Sequence, residues 1–292
     1  MFKSAKEKAE QLHQEAMAHG DAGEHDRALD KYFEALQLDP SRATTHYNVG
    51  LIYKYRLQWR ESFRYNKTAT DLAPTDEAAN WNLAIAATAL RDWRTARAVW
   101  HRLGMPVEEG DTPILSDFGL TPVRLDPEGE AEVVWAQRID PVRAKIASLP
   151  YLTSGFSYGD VVLHDGAAVG YRWHAGTQRP VFNVLELFEA SPYRTYEADL
   201  EVGEPADIEA LQALCDQRAI VFEDWTTSVQ MLCKACSEGR PHEKHDYVHE
   251  EKWQDRHQVG FATTGEESAI RRAIEDWQNA RRKLERFGRR SH

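Results

Sequence analysis

The sequence predicts an α+β chain in two parts. An all-α solenoid of three helix-turn-helix repeats comes first. An α+β domain with a mainly antiparallel sheet and a small zinc site follows. Three observations predict it. Residues 9–110 repeat with a period of 34. Past Ala131 the apolar spacing changes from about 3.6 to about 2. Two cysteines and three histidines crowd into residues 233–249. The boundaries are residues 1–110 for the repeats, 111–130 for a linker and 131–292 for the second domain.

The repeat is carried by named columns. Ala28, Tyr32, Ala35 and Pro40 stand where Ser62, Asn66, Ala69 and Pro74 stand one period later. Ala96, Trp100 and Leu103 come next, with the proline drifting to Pro106. Ala16, Gly50 and Ala84 form a small column, and His25, Trp59 and Trp93 a bulky one. Such a period means stacked helix pairs, in which small residues let helices approach and large ones fill the gaps beside them. At these positions residues 9–110 resemble the tetratricopeptide repeat family. Glu15 departs from it, replacing an apolar residue as in an end repeat facing water. The third repeat lacks its final proline.

The resemblance implies a scaffold with a concave groove for a protein or peptide partner, and does not by itself imply catalysis. Aligned to the family, His13, Tyr47 and Trp81 form one groove column. Gln14, Asn48 and Asn82 form its neighbour, and Met17, Leu51 and Ile85 a third. Rings in register supply apolar area, and amides can bond a peptide backbone. The same residues could instead pack against the chain's own second domain, since no polar capping helix is evident after Met105. The family members that grip acidic chaperone tails use Lys, Asn and Arg at set places. Here those places hold His13, Met17, Asn48, Ala78 and Asn82, and only Asn48 matches. A chaperone-tail adaptor is therefore disfavoured.

Composition excludes other classes. The 292 residues suffice for two domains, and 42% apolar content with nine Trp indicates a folded chain. No run of eighteen apolar residues occurs, so no membrane span is expected. The charged N-terminus lacks a signal core, and three cysteines fit a reducing compartment, so the expected location is cytoplasmic. Residues 1–110 are nearly neutral, so the second part holds almost all of the net charge of −11. That acidity argues against nucleic acid. A basic run (Arg271, Arg272, Arg281, Arg282, Lys283, Arg286, Arg289, Arg290) reads as a solvated helix face.

Within the second part, Pro122–Leu125 is a short strand candidate in the linker, and AEVVWAQRI a further one. In GDVVLHDGAAVGYRW, Asp165-Gly166 reads as the turn of a hairpin. PVFNVLELFEAS and TYEADLEV are further strands. Pro205-Ala206-Asp207 opens a helix with Asp207 as its cap. Glu266–Phe287 reads as a closing helix with Ile270, Ile274, Trp277 and Leu284 facing inward. His164 and Asp165 beside Asp160 read as a turn with a surface imidazole. Glu223-Asp224-Trp225 reads as a strand end with a packed Trp. No phosphate loop or nucleophile elbow occurs, and no catalytic residue is assigned.

The stretch with site chemistry is residues 232–253. A Cys233-x2-Cys236 turn sets two thiolates on one side, and thiolates suit zinc. His242, His245 and His249 supply the remaining ligands, with His245 and His249 on one face if that stretch is helical. Two thiolates make zinc a poor Lewis acid. HDYVH (His245–His249) has Asp where a metalloprotease has Glu, and the histidines follow the cysteines, unlike those of a deaminase. Structural zinc with four protein ligands is the reading. Cys215 reads as core. The function expected is an interaction scaffold or adaptor. The alternatives are a zinc-dependent or other hydrolase-type enzyme carried by the second domain, and a regulatory module gated by the repeats.

Overall fold

The computed structural model describes residues 4–129, 132–174, 176–226 and 253–289. The chain forms two compact units, Met1–Leu115 and Ser116–His292.

The first unit contains six helices among its described residues: α1 (Ala5–Asp21), α2 (His25–Leu38), α3 (Ala43–Tyr55), α4 (Trp59–Leu72), α5 (Glu77–Ala89) and α6 (Trp93–Arg102). Side-chain oxygens start three of them. Ser4 and Glu7 form a capping box on α1, Asp76 accepts from Ala79 N, and Asp92 accepts from Thr95 N. The sequence columns are the core. Ala16, Ala28, Ala35, Ser62, Asn66, Ala84, Ala96 and Trp100 are fully buried.

Size at the small column is set by contact. A Cβ on Gly50 would lie 2.7 Å from Asn66 Cγ. Asn66 cannot retreat easily, because its Nδ2 donates to the Ser62 carbonyl at 2.8 Å and Ser62 Oγ donates to the Gly50 carbonyl at 2.9 Å. A second column escaped the sequence reading. Gly23, Leu57 and Arg91 share φ angles of 76°, 56° and 59°. Each ends the first helix of its pair in the same way. Glu24, Gln58 and Asp92 donate back to His19, Tyr53 and Ala87, a Schellman closure repeated three times. Only the first repeat uses glycine there, so side-chain identity hid the column.

No capping helix follows α6. The chain instead turns back along it. Arg97 donates to the carbonyls of Glu108 (2.9 Å), Thr112 (2.6 Å) and Pro113 (3.0 Å), and Val107 and Ile114 are buried.

The second unit holds two sheets where one was expected. Five strands close a barrel: β1 (Leu120–Arg124), β2 (Val133–Arg138), β3 (Arg143–Ile146), β4 (Val161–His174) and β5 (Thr177–Glu189). Neighbours are antiparallel except β5, which closes onto β1 in parallel. The strand anticipated inside the linker is β1, whose Val123 and following Leu125 are barrel core.

The hairpin expected at Asp165-Gly166 is corrected. β4 runs through it as one strand, and the register against β5 shifts between His164 and Ala168. Asp165 accepts from the Gly166 amide at 2.7 Å, so its side chain supports a bulge rather than a reversal.

Four further strands, β6 (Arg194–Glu201), β7 (Val221–Asp224), β8 (Arg256–Thr263) and β9 (Lys283–Arg289), form a sheet in the order β7-β8-β6-β9. All its pairs are antiparallel. Helices α7 (Pro205–Asp216) and α8 (Glu267–Trp277) pack on it through Leu211, Cys215, Ile270, Ile274 and Trp277, over Tyr196, Leu200 and Phe261. Buried Cys215 is core as expected, its thiol pushed up to about 12 by burial.

The closing helix is corrected too. It stops at Trp277, and residues 283–289 pair with β6. The acids of β6 explain the change. Lys283 pairs with Glu201, and Arg286 with Asp199 and Glu197, cross-strand contacts that a helix would forfeit. Asp207 is also reassigned. Glu204 is the cap of α7, and Asp207 completes its capping box while binding Arg282.

Two substitutions test the repeat packing by helical circular dichroism during unfolding. Gly50→Ala should destabilise the first unit by about 1–3 kcal/mol through overpacking against Asn66. Leu57→Gly, at a left-handed position whose side chain is 42% exposed, should stabilise it by about 0.5–1 kcal/mol.

Candidate partner-binding groove

The nine groove positions fall into three groups. Gln14 and Met17 on α1 are exposed, Met17 by 40%. Tyr47, Asn48 and Leu51 on α3, and Trp81 on α5, are half-buried. His13, Asn82 and Ile85 are buried and so are not presented. Nearly every residue of α5 from Ala79 to Thr88 is buried, so the third repeat offers only Trp81 among its groove residues.

Local bonds explain the grouping. His13 Nδ1 lies 2.9 Å from Thr45 Oγ1, and its ring leans on Tyr32 with centroids 5.4 Å apart. Burial, then the nearby Arg42 charge, lowers its pKa against the opposing pull of Glu10. It is a neutral interior contact between the first two repeats. Asn48 Nδ2 donates to Tyr32 Oη at 3.1 Å, so one of its donors is committed. Gln14 Nε2 donates to Glu10 at 2.8 Å on the surface. Trp81 sets its ring edge-on to buried Trp100 at 4.8 Å and 71°. Of the nine positions, Gln14 and Met17 on α1 and Tyr47, Asn48 and Leu51 on α3 thus keep solvent exposure on the first helices of two successive repeats.

The predicted zinc ligands Cys233, Cys236, His242, His245 and His249 lie outside the described residues. Among the described residues no group of three or more His, Cys, Asp or Glu could hold a metal ion. The ends of their segment are described. β7 stops at Asp224, β8 starts at Arg256, and the two strands are antiparallel neighbours.

The remaining titratable stretches resolve into packing. Trp225 is buried and donates its Nε1–H to the Leu149 carbonyl at 2.9 Å, while Glu223 accepts from Leu149 N at 2.7 Å. Gly260 makes room for that indole, since a Cβ there would sit 2.8 Å from Trp225 Cε2. Asp160 accepts from Ser157 N and Ser191 N, each at 2.7 Å.

His164 is not the surface imidazole expected. It is fully buried, donates Nδ1–H to the Asp165 carbonyl at 2.8 Å, and stacks on Phe182 at 4.9 Å. The bulge, which local sequence does not reveal, turns it inward. Burial pulls its pKa down to about 4 from 6.5.

A TPR repeat family model matches residues 19–54. Three similar solved structures each cover about a third of the chain. The first TPR domain of Spaghetti, bound to an HSP90 peptide, is 20% identical over 34% of this chain and 78% of that one, with a TM-score of 0.32. The TPR domain of Arabidopsis OM64 is 17% identical over 34% and 82%, with a TM-score of 0.32. The N-terminal domain of stress-induced protein-1 from C. elegans is 19% identical over 35% and 85%, with a TM-score of 0.31. No curated protein sequence matches the chain. The family-model match lies wholly in the first unit, and the second is assigned to no family.

The buried imidazole has a measurable consequence. The unfolded chain binds a proton at His164 near pH 6.5, and the folded chain refuses it until about 4. Its contribution to stability is therefore intact above 6.5 and is lost as pH falls towards 4. Urea unfolding of the parent and of His164→Phe across that window should show a smaller pH dependence in the variant.

Proposed function

We propose, from an N-terminal unit of tetratricopeptide repeats, that this chain is a protein-interaction adaptor whose partner segment lies on α1 and α3. The observation that carries the reading is the solvent exposure of Met17 and Gln14 on α1 and of half-buried Tyr47, Asn48 and Leu51 on α3. An apolar anchor on such a surface gains from burial, and the flanking amides can bond an extended backbone. His13, buried against Thr45, ties α1 to α3, whereas Asn82 and Ile85 are buried on α5 and are left out of the proposed surface. The chaperone-tail clamp has no counterpart at His13, Met17, Ala78 and Asn82, so the partner proposed is not gripped by a terminal carboxylate. Among the described residues no helix is long and apolar enough to cross a membrane.

The second part of the reading is a structural zinc held by Cys233 and Cys236 with two of His242, His245 and His249. Its support is the ligand spacing, together with the antiparallel pairing of β7 and β8, which starts and ends that segment at one end of the sheet. Zinc held this way couples to folding and supplies no open coordination position.

Two measurements test these points. Met17→Ala with Tyr47→Ala should lower capture of binding partners from a lysate about tenfold or more. Tyr55→Ala, at another exposed position (58%) on α3, should leave capture unchanged. Equal capture by parent and double variant would remove the groove reading. Separately, Cys233→Ser with Cys236→Ser should abolish bound zinc and destabilise the second unit, while the helical signal of the first persists. A double variant that melts like the parent would rule out structural zinc.

A further inference from the structure

Where β7 stops and β8 starts, one histidine is held by two acceptors. His257 Nδ1 lies 2.9 Å from Asp224 Oδ2, and Nε2 lies 2.9 Å from the Gln254 carbonyl. A neutral imidazole carries a single N–H, whereas a carboxylate and a backbone carbonyl can only accept. The ring satisfies both partners only as an imidazolium.

The surroundings make that charge consequential. His257 is buried, and Trp253 packs on its ring with centroids 4.7 Å apart. Leu200 of β6 stands opposite it in register. Asp224 is the charged group acting on the ring among the described residues; Arg256 beside it pairs instead with Glu285. Burial opposes protonation, but the Asp224 hydrogen bond and charge, then the Gln254 carbonyl, outweigh it and raise the pKa above 6.5.

The other oxygen of Asp224 accepts from Thr226 N at 3.1 Å, and Thr226 Oγ1 accepts from Gln258 N at 2.8 Å. One network thus ties the end of β7, the start of β8 and the residues just before it.

We propose that the His257–Asp224 pair is a proton-operated clasp. With the ring protonated, Trp253 and Gln254 are pinned to the ends of β7 and β8. With the proton gone, one of the two bonds is lost and Gln254 is released. Because the folded ring holds its proton more tightly than the unfolded one, the stabilisation is complete below about 6.5. It is lost as pH rises through the folded value. The device sits at the end of β7 and the start of β8, so proton concentration sets how firmly Gln254 is held there. It does not depend on zinc or on the groove.

The test uses the full chain, with histidine ring NMR and amide exchange, corrected for intrinsic rates, from about pH 5.5 to about 9. The expected result is a His257 midpoint above 6.5. Protection of the 253–258 amides should fall about tenfold or more with that same midpoint, the loss expected for one charge-assisted bond. Asp224→Asn should move the midpoint down, and His257→Gln should make protection at 253–258 independent of pH. A ring already neutral at pH 6, or protection in the parent that ignores its ionisation, would overturn the clasp. Neither measurement on the parent requires a variant to fold.

Discussion

Close approach of paired helices at one small side chain per repeat is the constraint on which the first unit rests. At Gly50 the tolerance is less than a methyl group, because Asn66 fills the facing position and is bonded to Ser62. Ala16 and Ala84 hold the equivalent places with no exposed surface. Helices brought this near can interdigitate their side chains, and their first members then stand side by side. In that alignment α1, which carries Met17, is tied to α3, which carries Tyr47 and Leu51, through His13 and Thr45.

The second unit is joined by a different device. Leu149, in the loop after β3, has its N–H taken by Glu223 and its carbonyl taken by Trp225. Both groups come from one strand end, and Trp225 can reach only because residue 260 lacks a side chain. Leu149, Trp225 and Ala262 share a small apolar cluster with Tyr151, Tyr158 and Tyr193 around it. Burial disfavours the Glu223 carboxylate, and the Leu149 amide partly offsets that cost. Two polar anchors inside an apolar cluster fix barrel against sheet more specifically than packing alone, because a slipped register would leave them unsatisfied.

The charge of the chain serves structure here. The basic run near the C-terminus reads in sequence as a solvated helix face, yet from Arg281 to Arg286 the structure pairs its cations with acids. Lys283 and Arg286 face Glu201, Asp199 and Glu197 across strands, and Arg282 and Arg281 meet Asp207 and Glu204 at the start of α7. Most of these pairs are exposed and contribute little individually. Their effect is on register, since sliding β9 by one residue would set each cation beside the wrong neighbour.

The sequence by itself determined the repeats. A 34-residue period in side-chain size is a statement about spacing, and spacing along a helix fixes which residues meet. The columns of Ala16, Ala28 and Tyr32 could therefore be read without coordinates. It also placed the strands at Val133–Arg138 and Arg194–Glu201, because strand alternation is equally local. Tertiary structure decided what depends on distant partners. Asp165-Gly166 has the composition of a turn, but the pairing of β5 along both sides of it makes it a bulge and buries His164. Residues 283–289 carry a helix-like basic pattern, but the acids of β6, more than eighty residues earlier in the chain, draw them into a sheet. The burial of Asn82 and Ile85 is likewise a property of the folded chain that their spacing does not reveal. Such outcomes turn on which of two locally acceptable conformations finds a partner, and a one-dimensional pattern does not contain the partner.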